Sequence, residues 1–203
     1  GYDLSSLRSI PNSQAQLKKE LGDVFPVIGM VGRFDPQKDH FSLLDAFTLV
    51  KKKDVPHKLV LVGREINTSN TVLINKIQLL GLKDEVLLLN QRDDIPTIMN
   101  SLDLHILSSS SEAFPNVLAE AMACSTPCVT TDVGDAAFIV GDTGWVVPPK
   151  NPQALADAIL IAINQKKVDP ITWASRKVAC RKRIVDNFSI VNMIDKYHRV
   201  WMN

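Results

Sequence analysis

The sequence predicts a doubly wound α/β domain: a parallel sheet with helices on both faces. Three observations predict it. Short apolar runs alternate with segments of helical periodicity from residue 27 onward. The runs are continuously apolar rather than alternating, as strands covered on both faces require. Strands separated by helices imply right-handed βαβ units and hence a parallel sheet.

The elements follow in order. Residues 1–23 are polar and mixed, with a short helical run near Gln14–Leu21, and read as a lead-in or linker. Val27–Val31 is the first strand, closed by Gly32. Phe41–Lys53 carries Leu43, Leu44, Phe47 and Val50 at helical spacing. Leu59–Val62 is the second strand, closed by Gly63. Thr71–Leu80 is a helix with Gly81 placed to be its C′ residue. Val86–Leu89 is the third strand, and Ile95–Leu102 a short helix with Asp94 as cap and Pro96 in its first turn. Leu104–Leu107 is the fourth strand, Pro115–Ala123 a helix with proline at its start, and Cys128–Thr130 the fifth strand. Beyond Thr131, Gly134, Gly141 and Gly144 mark loops, Trp145–Val147 reads as an edge strand, and Pro152–Ile163, Ile171–Val185 and Ser189–Trp201 read as three helices.

Composition narrows the function classes. The chain has 203 residues, 45% hydrophobic and 22% charged, an ordinary globular balance. A net charge of +1 gives no global attraction to nucleic acid, so any anion site is local. Three cysteines, Cys124, Cys128 and Cys180, do not make a disulfide framework, and the C-x3-C pair has no second half for zinc; buried thiols and a reducing cytoplasm fit. No stretch approaches the roughly 18 apolar residues of a membrane span. The sequence has no G-x-x-x-x-G-K-[ST], G-x-G-x-x-G or G-x-S-x-G motif, and no carboxylate cluster pointing to a metal.

In a doubly wound sheet, ligands bind beyond the carboxyl ends of the strands. Three loops there can carry chemistry. VGRFDPQKD, residues 31–39, places Arg33 and Lys38 just past a strand end, with Gly32 allowing close backbone approach. A fork and a point charge suit a pyrophosphate; local pairing with Asp35 and Asp39 fits the spacing equally well. SSSSEAFPNVLAEAMA, residues 108–123, runs from a strand through four serines and Glu112 into a helix. The N–H groups of Asn116, Val117 and Leu118 would face the cleft as an anion site; an empty, water-capped helix end is the alternative. Glu120 is the only charge in the run Val117–Ala123. Buried, it would need donors, and a ribose diol supplies two, though the sequence slightly favours a carboxylate that reaches solvent or pairs with Lys or Arg. NQRDDIP, residues 90–96, could read a base edge through Gln91 and Arg92, but a polar turn capping the next helix is the simpler reading. His105 reads as core, while His40, His57 and His198 are scattered. The C-terminal helices hold Lys166, Lys167, Arg176, Lys177, Arg181, Lys182 and Arg183, read as a solvated basic face rather than a membrane contact.

VGRFDPQKD, KLVLVG at 58–63, LLLNQRDDIP, DLHILSSSSEAFPNVLAEAMA at 103–123 and GDTGWVVPP at 141–149, in this order, resemble the C-terminal domain of the large retaining glycosyltransferase family 4. The resemblance runs from about residue 20 to near the C-terminus and implies the Rossmann-like C-terminal half of a GT-B enzyme. Residues 24–185 would be the nucleotide-sugar-binding domain. Residues 1–23 would lead in from an N-terminal acceptor domain that this chain does not contain, and 186–203 would form a helix packed on that domain. Arg33 and Lys38 would hold the donor's pyrophosphate. Glu120, the second acid of an E-x7-E pair, would bind the ribose hydroxyls. Glu112 and the stretch Phe114, Pro115 and Asn116 would hold the sugar, and Gln91 and Arg92 would meet the base. The sequence departs from the family where Arg64, Glu65 and Ile66 follow Gly63, and where Ser125 and Asp135 replace frequent glycines.

The implied activity is transfer of a sugar from a nucleoside-diphosphate donor, UDP before GDP, to an acceptor hydroxyl with retention and without a cofactor. The acceptor would be a glycan or lipid-linked glycan, in polysaccharide assembly in the cytoplasm or peripherally at its membrane face. The fragment alone would be inactive. A GT-B sugar-nucleotide epimerase and a non-catalytic nucleotide- or partner-binding module are the alternatives; a glycan phosphorylase would need a pyridoxal phosphate lysine, for which no residue stands out.

Overall fold

The computed structural model describes residues 1–10, 26–53 and 57–202. The helical run expected near Gln14–Leu21 lies outside them. Six parallel strands, β1 (Val27–Val31), β2 (Lys58–Val62), β3 (Val86–Leu88), β4 (Leu104–Leu107), β5 (Cys128–Thr131) and β6 (Trp145–Val147), form one sheet in the order β3-β2-β1-β4-β5-β6. The β1–β2 register runs Val27 opposite Lys58 to Val31 opposite Val62, and Ile28 lies opposite Leu104 of β4. The chain winds outward from β1 to β3, then crosses back to β4 and winds the other way. The switch point lies between β1 and β4, where a doubly wound sheet leaves a crevice.

Alternate side chains on the strands feed two cores, because strand Cβ atoms point to opposite faces in turn. Ile28, Met30, Leu59 and Leu61 are buried against α1 (His40–Lys51), α2 (Thr71–Leu79) and α6 (Pro152–Val168). Val27, Val31, Val60 and Val62 are buried against α3 (Ile95–Ser101), α4 (Asn116–Ala123), α5 (Ala136–Val140) and α7 (Pro170–Phe188). The final helix, α8 (Ile190–Trp201), leaves Val191, Tyr197, Val200 and Trp201 exposed. Among the described residues, no helix is long and apolar enough to cross a membrane.

Two helix ends share one device. After α2, Gly81 takes φ +64°, its N–H bonds Gln78 O and the N–H of Leu82 bonds Ile77 O. After α4, Ser125 takes φ +64°, with its N–H on Met122 O and that of Thr126 on Ala121 O. Both are Schellman endings, so Ser125 holds the left-handed position that glycine fills more easily. Glu65, at φ +64°, does the same after β2.

The structure corrects several readings. Asp94 is the N-cap residue of α3, as expected, but its side chain makes no capping bond; both its carboxylate oxygens accept from Arg92, at 2.8 Å each. Helix α5 lies in a stretch that the sequence marks only as loop, because five residues are too few to show a 3.6-residue period. Helices α6 and α7 run to Val168 and Phe188, past the expected ends. The basic C-terminal residues are not a simple solvated face. Arg181 donates to Ala123 O at the end of α4 and to Leu7 O, and Arg183 donates to Phe138 O and Ile139 O in the last turn of α5. Arg176 donates to Thr143 O at 2.8 Å and lies 4.3 Å above the Trp145 ring. Lys166 pairs with Asp103, and Lys182 with Asp186. The last carbonyls of a helix lack intrahelical donors, and guanidinium groups satisfy them.

Candidate functional site

The site starts where β1 ends. The N–H of Gly32 donates to Val62 O at 2.8 Å, and that of Phe34 to Arg64 O at 2.9 Å, so the loops after β1 and β2 touch through backbone. Gly63, at φ +152°, makes this contact: a Cβ there would lie 2.1 Å from Gly32 O. Asp35 then caps a 3-10 turn, Pro36–Lys38, through the N–H of Gln37. Arg33 Nε donates to the same carboxylate at 3.1 Å, its side chain still 53% exposed. The Gln37 N–H first, and then Arg33, hold Asp35 below the ordinary carboxylate range. Asp39, left-handed at φ +50°, caps α1 through the N–H of Ser42.

The loop after β4 is stitched onto this one. Ser108 Oγ donates to Lys38 O at 2.9 Å, and the N–H of Ser110 to Gln37 O at 2.7 Å. One oxygen of Glu112, Oε1, accepts from Lys38 Nζ at 2.6 Å and from Ser109 Oγ at 2.7 Å. The Lys38 and Glu112 side chains are only 19% and 14% exposed. Lys38 therefore pairs with neither Asp35 nor Asp39, the local partners its spacing allowed, but with an acid on the neighbouring loop.

Helix α4 opens beside this pair. Its N-cap is Pro115, which is buried and offers no side-chain cap. The N–H of Leu118 bonds Pro115 O at 3.1 Å, so of the three expected anion donors only those of Asn116 and Val117 have no partner among the described residues. Glu120 lies one turn on, half-buried, with its carboxylate unpaired among the described residues; burial pushes its pKa up. Of the two alternatives the sequence favoured, pairing with Lys or Arg is not seen among the described residues, while a carboxylate that still reaches solvent is. The residue beside it is Tyr2, unseen in the sequence. Its hydroxyl donates to Asn116 Oδ1 at 2.7 Å, and burial first, then the charge of Glu120, pushes its pKa up to about 12. Tyr2 is held there by backbone bonds to Phe188 and Ile190.

Gln91 and Arg92 follow β3 on the same sheet edge, two strands from β1. Gln91 is exposed and Arg92 is engaged with Asp94, whose pKa that bond lowers. An apolar cavity of about 550 Å³, lined by Tyr2, Phe114, Asn116, Phe188, Met193 and Tyr197 among others, borders the start of α4. The Lys38–Glu112 pair lies outside its lining. Beneath the switch point, His105 is fully buried as expected, with Nε2 accepting from the Val31 N–H at 3.4 Å; burial pulls its pKa down to about 3. The three cysteines are free and buried. Among the described residues, no group of three or more His, Cys, Asp or Glu is placed to hold a metal ion.

The chain is 26% identical over 180 residues to the UDP-Gal:alpha-D-GlcNAc-diphosphoundecaprenol alpha-1,3-galactosyltransferase of Escherichia coli, covering 87% of this chain and 45% of that protein. It is 30% identical over 173 residues to the capsular polysaccharide biosynthesis glycosyltransferase CapM of Staphylococcus aureus, covering 84% of this chain and 44% of that protein. The structure of Anabaena Alr3699/HepE in complex with UDP and glucose superposes with a TM-score of 0.85 at 27% identity, over all of this chain and 55% of that one. The chain thus spans about half the length of the relatives it matches. Residues 12–175 match the family described as Glycosyl transferases group 1, so the chain belongs to that family of glycosyltransferases, with a GT-B-like half-fold.

Proposed function

We propose that this chain is the donor-binding, C-terminal half of a retaining glycosyltransferase of family 4 that uses a nucleoside-diphosphate sugar, UDP before GDP. The observation that carries the reading is the convergence at the β1/β4 switch point: Lys38, Glu112 and the start of α4 meet there in a sheet superposable on that of a UDP-bound relative. Arg33 and Lys38, helped by the N–H groups of Asn116 and Val117, take the diphosphate. Glu120 takes the ribose hydroxyls as an acceptor; among the described residues it has no partner, which leaves it open to donors. Glu112, with Phe114 and Pro115, takes the sugar, and Gln91 and Arg92 meet the base. When the sugar–phosphate bond breaks, negative charge grows on the departing diphosphate and the two cations stabilise it where it develops. No metal cofactor is assigned a part.

The acceptor, a glycan or lipid-linked glycan, would enter from the other half of the enzyme. The exposed face of α8 would be the seam to that half. A role in polysaccharide assembly is supported by the capsular polysaccharide biosynthesis relative, and its proposed place is the cytoplasm or, peripherally, the membrane face. The test is product analysis on the full-length protein with UDP-glucose, with and without a lipid-linked glycan. Sugar transfer only when acceptor is present supports the reading. Conversion of the nucleotide sugar without acceptor would indicate an epimerase and contradict it.

A further inference from the structure

We infer that Ser109 and the Lys38–Glu112 pair form a specificity element that favours a sugar-bearing nucleoside diphosphate over the bare nucleoside diphosphate. The inference rests on the donor-site reading above and adds to it a reason for the two ligands to bind differently.

Three features carry it. Lys38 and Glu112, the groups assigned to the two ends of the donor, are bonded to each other at 2.6 Å, and both are largely shielded from water. The oxygen that Lys38 grips is also the one that Ser109 holds at 2.7 Å. Ser109 is fully buried, and its own carbonyl is held by Thr131 Oγ1 at 2.6 Å. The backbone of Glu112 is pinned as well: a Cβ on Gly134 would fall 2.2 Å from Glu112 O, and the N–H of Asp135 bonds Ala113 O. The carboxylate therefore stays at this spot when a ligand arrives.

A diphosphate that recruits Lys38 must take it from Glu112. It leaves a carboxylate that is 14% exposed with one hydroxyl donor, and a shielded acid without its counter-charge is costly. A ligand that also carries a sugar brings hydroxyl donors to that carboxylate and removes the penalty. The sugar thus adds more affinity than its own contacts supply. Once the sugar has been transferred, Glu112 competes for Lys38 again and favours departure of the nucleoside diphosphate. Ser109 acts through Glu112, as a positioning residue.

The experiment is calorimetric titration of the 203-residue chain with UDP and UDP-glucose, and with GDP and GDP-mannose as a second pair. Wild type, Glu112→Gln and Ser109→Ala are compared, with thermal melts to show that each is folded. Glu112→Gln should bind the bare nucleotide roughly fivefold to tenfold more tightly than wild type, and its preference for the sugar-bearing form should collapse toward one. Ser109→Ala should shift both quantities the same way by about twofold to threefold. A merely structural role would weaken both ligands together and leave their ratio intact. Unchanged or weaker binding of the bare nucleotide to folded Glu112→Gln, while wild type binds it, overturns the inference and spares the donor-site reading. If neither the wild-type chain nor the full-length protein binds these nucleotides, with or without sugar, the donor-site reading falls and the inference with it; binding by the full-length protein alone moves the same comparison of variants to that protein.

Discussion

Replacing Lys38 with methionine and Glu112 with glutamine, singly and together, measures what joins the two loops at the switch point. The side chains are 19% and 14% exposed, between the two regimes for which ion-pair energies are known. Exposed pairs contribute about 0–1 kcal/mol, and breaking a fully buried pair costs about 3–5 kcal/mol. Lys38→Met leaves the Glu112 carboxylate with the Ser109 hydroxyl as its remaining partner, so a loss of about 2 kcal/mol is expected. Glu112→Gln leaves a shielded ammonium facing a neutral amide and should cost about 1 kcal/mol. The double variant holds two neutral chains of similar volume, so its loss should be smaller than the sum by about 1–2 kcal/mol. Urea denaturation of the four proteins at neutral pH reads this coupling directly. Losses that add to within roughly 0.5 kcal/mol would mean that the two groups do not interact, and would refute the claim that this pair locks the loops.

Two further predictions concern the scaffold. Ser125→Gly should stabilise the chain by about 0.5–1 kcal/mol, because a left-handed non-glycine residue costs roughly 1–2 kcal/mol, partly offset by glycine's freedom when unfolded. Gly81→Ser, the reverse change in the same motif, should destabilise by a similar amount, and equal melting temperatures for the two variants would contradict the matched Schellman geometry. His40 and His105 are pulled down by burial to about 4 and about 3, so both are neutral in the folded chain at pH values where the unfolded chain, titrating near 6.5, takes up protons. Stability is therefore fully present above about pH 6.5 and falls as pH drops toward 5, by about 1.4 kcal/mol per pH unit for each histidine once the unfolded form is charged. His40→Phe should remove about half of that slope in urea titrations across this window, and an unchanged slope would contradict the assignment.

How much of this was legible in the sequence depends on how local the cause is. The bounds of β1, β4 and β6 coincide with the apolar runs, because strand burial is written in consecutive residues. Gly81 lies where its helix must end, for the equally local reason that the turn needs a positive φ. The contacts that shape the site are not local. Lys38 and Glu112 are 74 positions apart, and Tyr2 and Asn116 are 114 apart. Within nine residues, local pairing with Asp35 and Asp39 fitted the spacing of Arg33 and Lys38 as well as a pyrophosphate site did; Arg33 does pair with Asp35, and only the packing of the β4 loop on the β1 loop gives Lys38 to Glu112 instead. Arg181 and Arg183 read as solvated charge because the helix carbonyls they cap belong to segments 40 to 60 residues earlier. Residue types named the chemistry of the edge, and tertiary packing chose which groups meet.

The crevice beyond β1 and β4 is the proposed seat of a nucleoside diphosphate. Calorimetric titration of this chain and of its Glu120→Ala variant with UDP, GDP and ADP at two salt concentrations tests it most directly. One nucleotide is expected to bind, UDP before the others, with added salt weakening it and Glu120→Ala lowering its affinity about tenfold or more, as loss of hydrogen bonds to a charged group implies. No binding of any of the three by the chain or by the full-length protein, or equal affinity in Glu120→Ala, would contradict it.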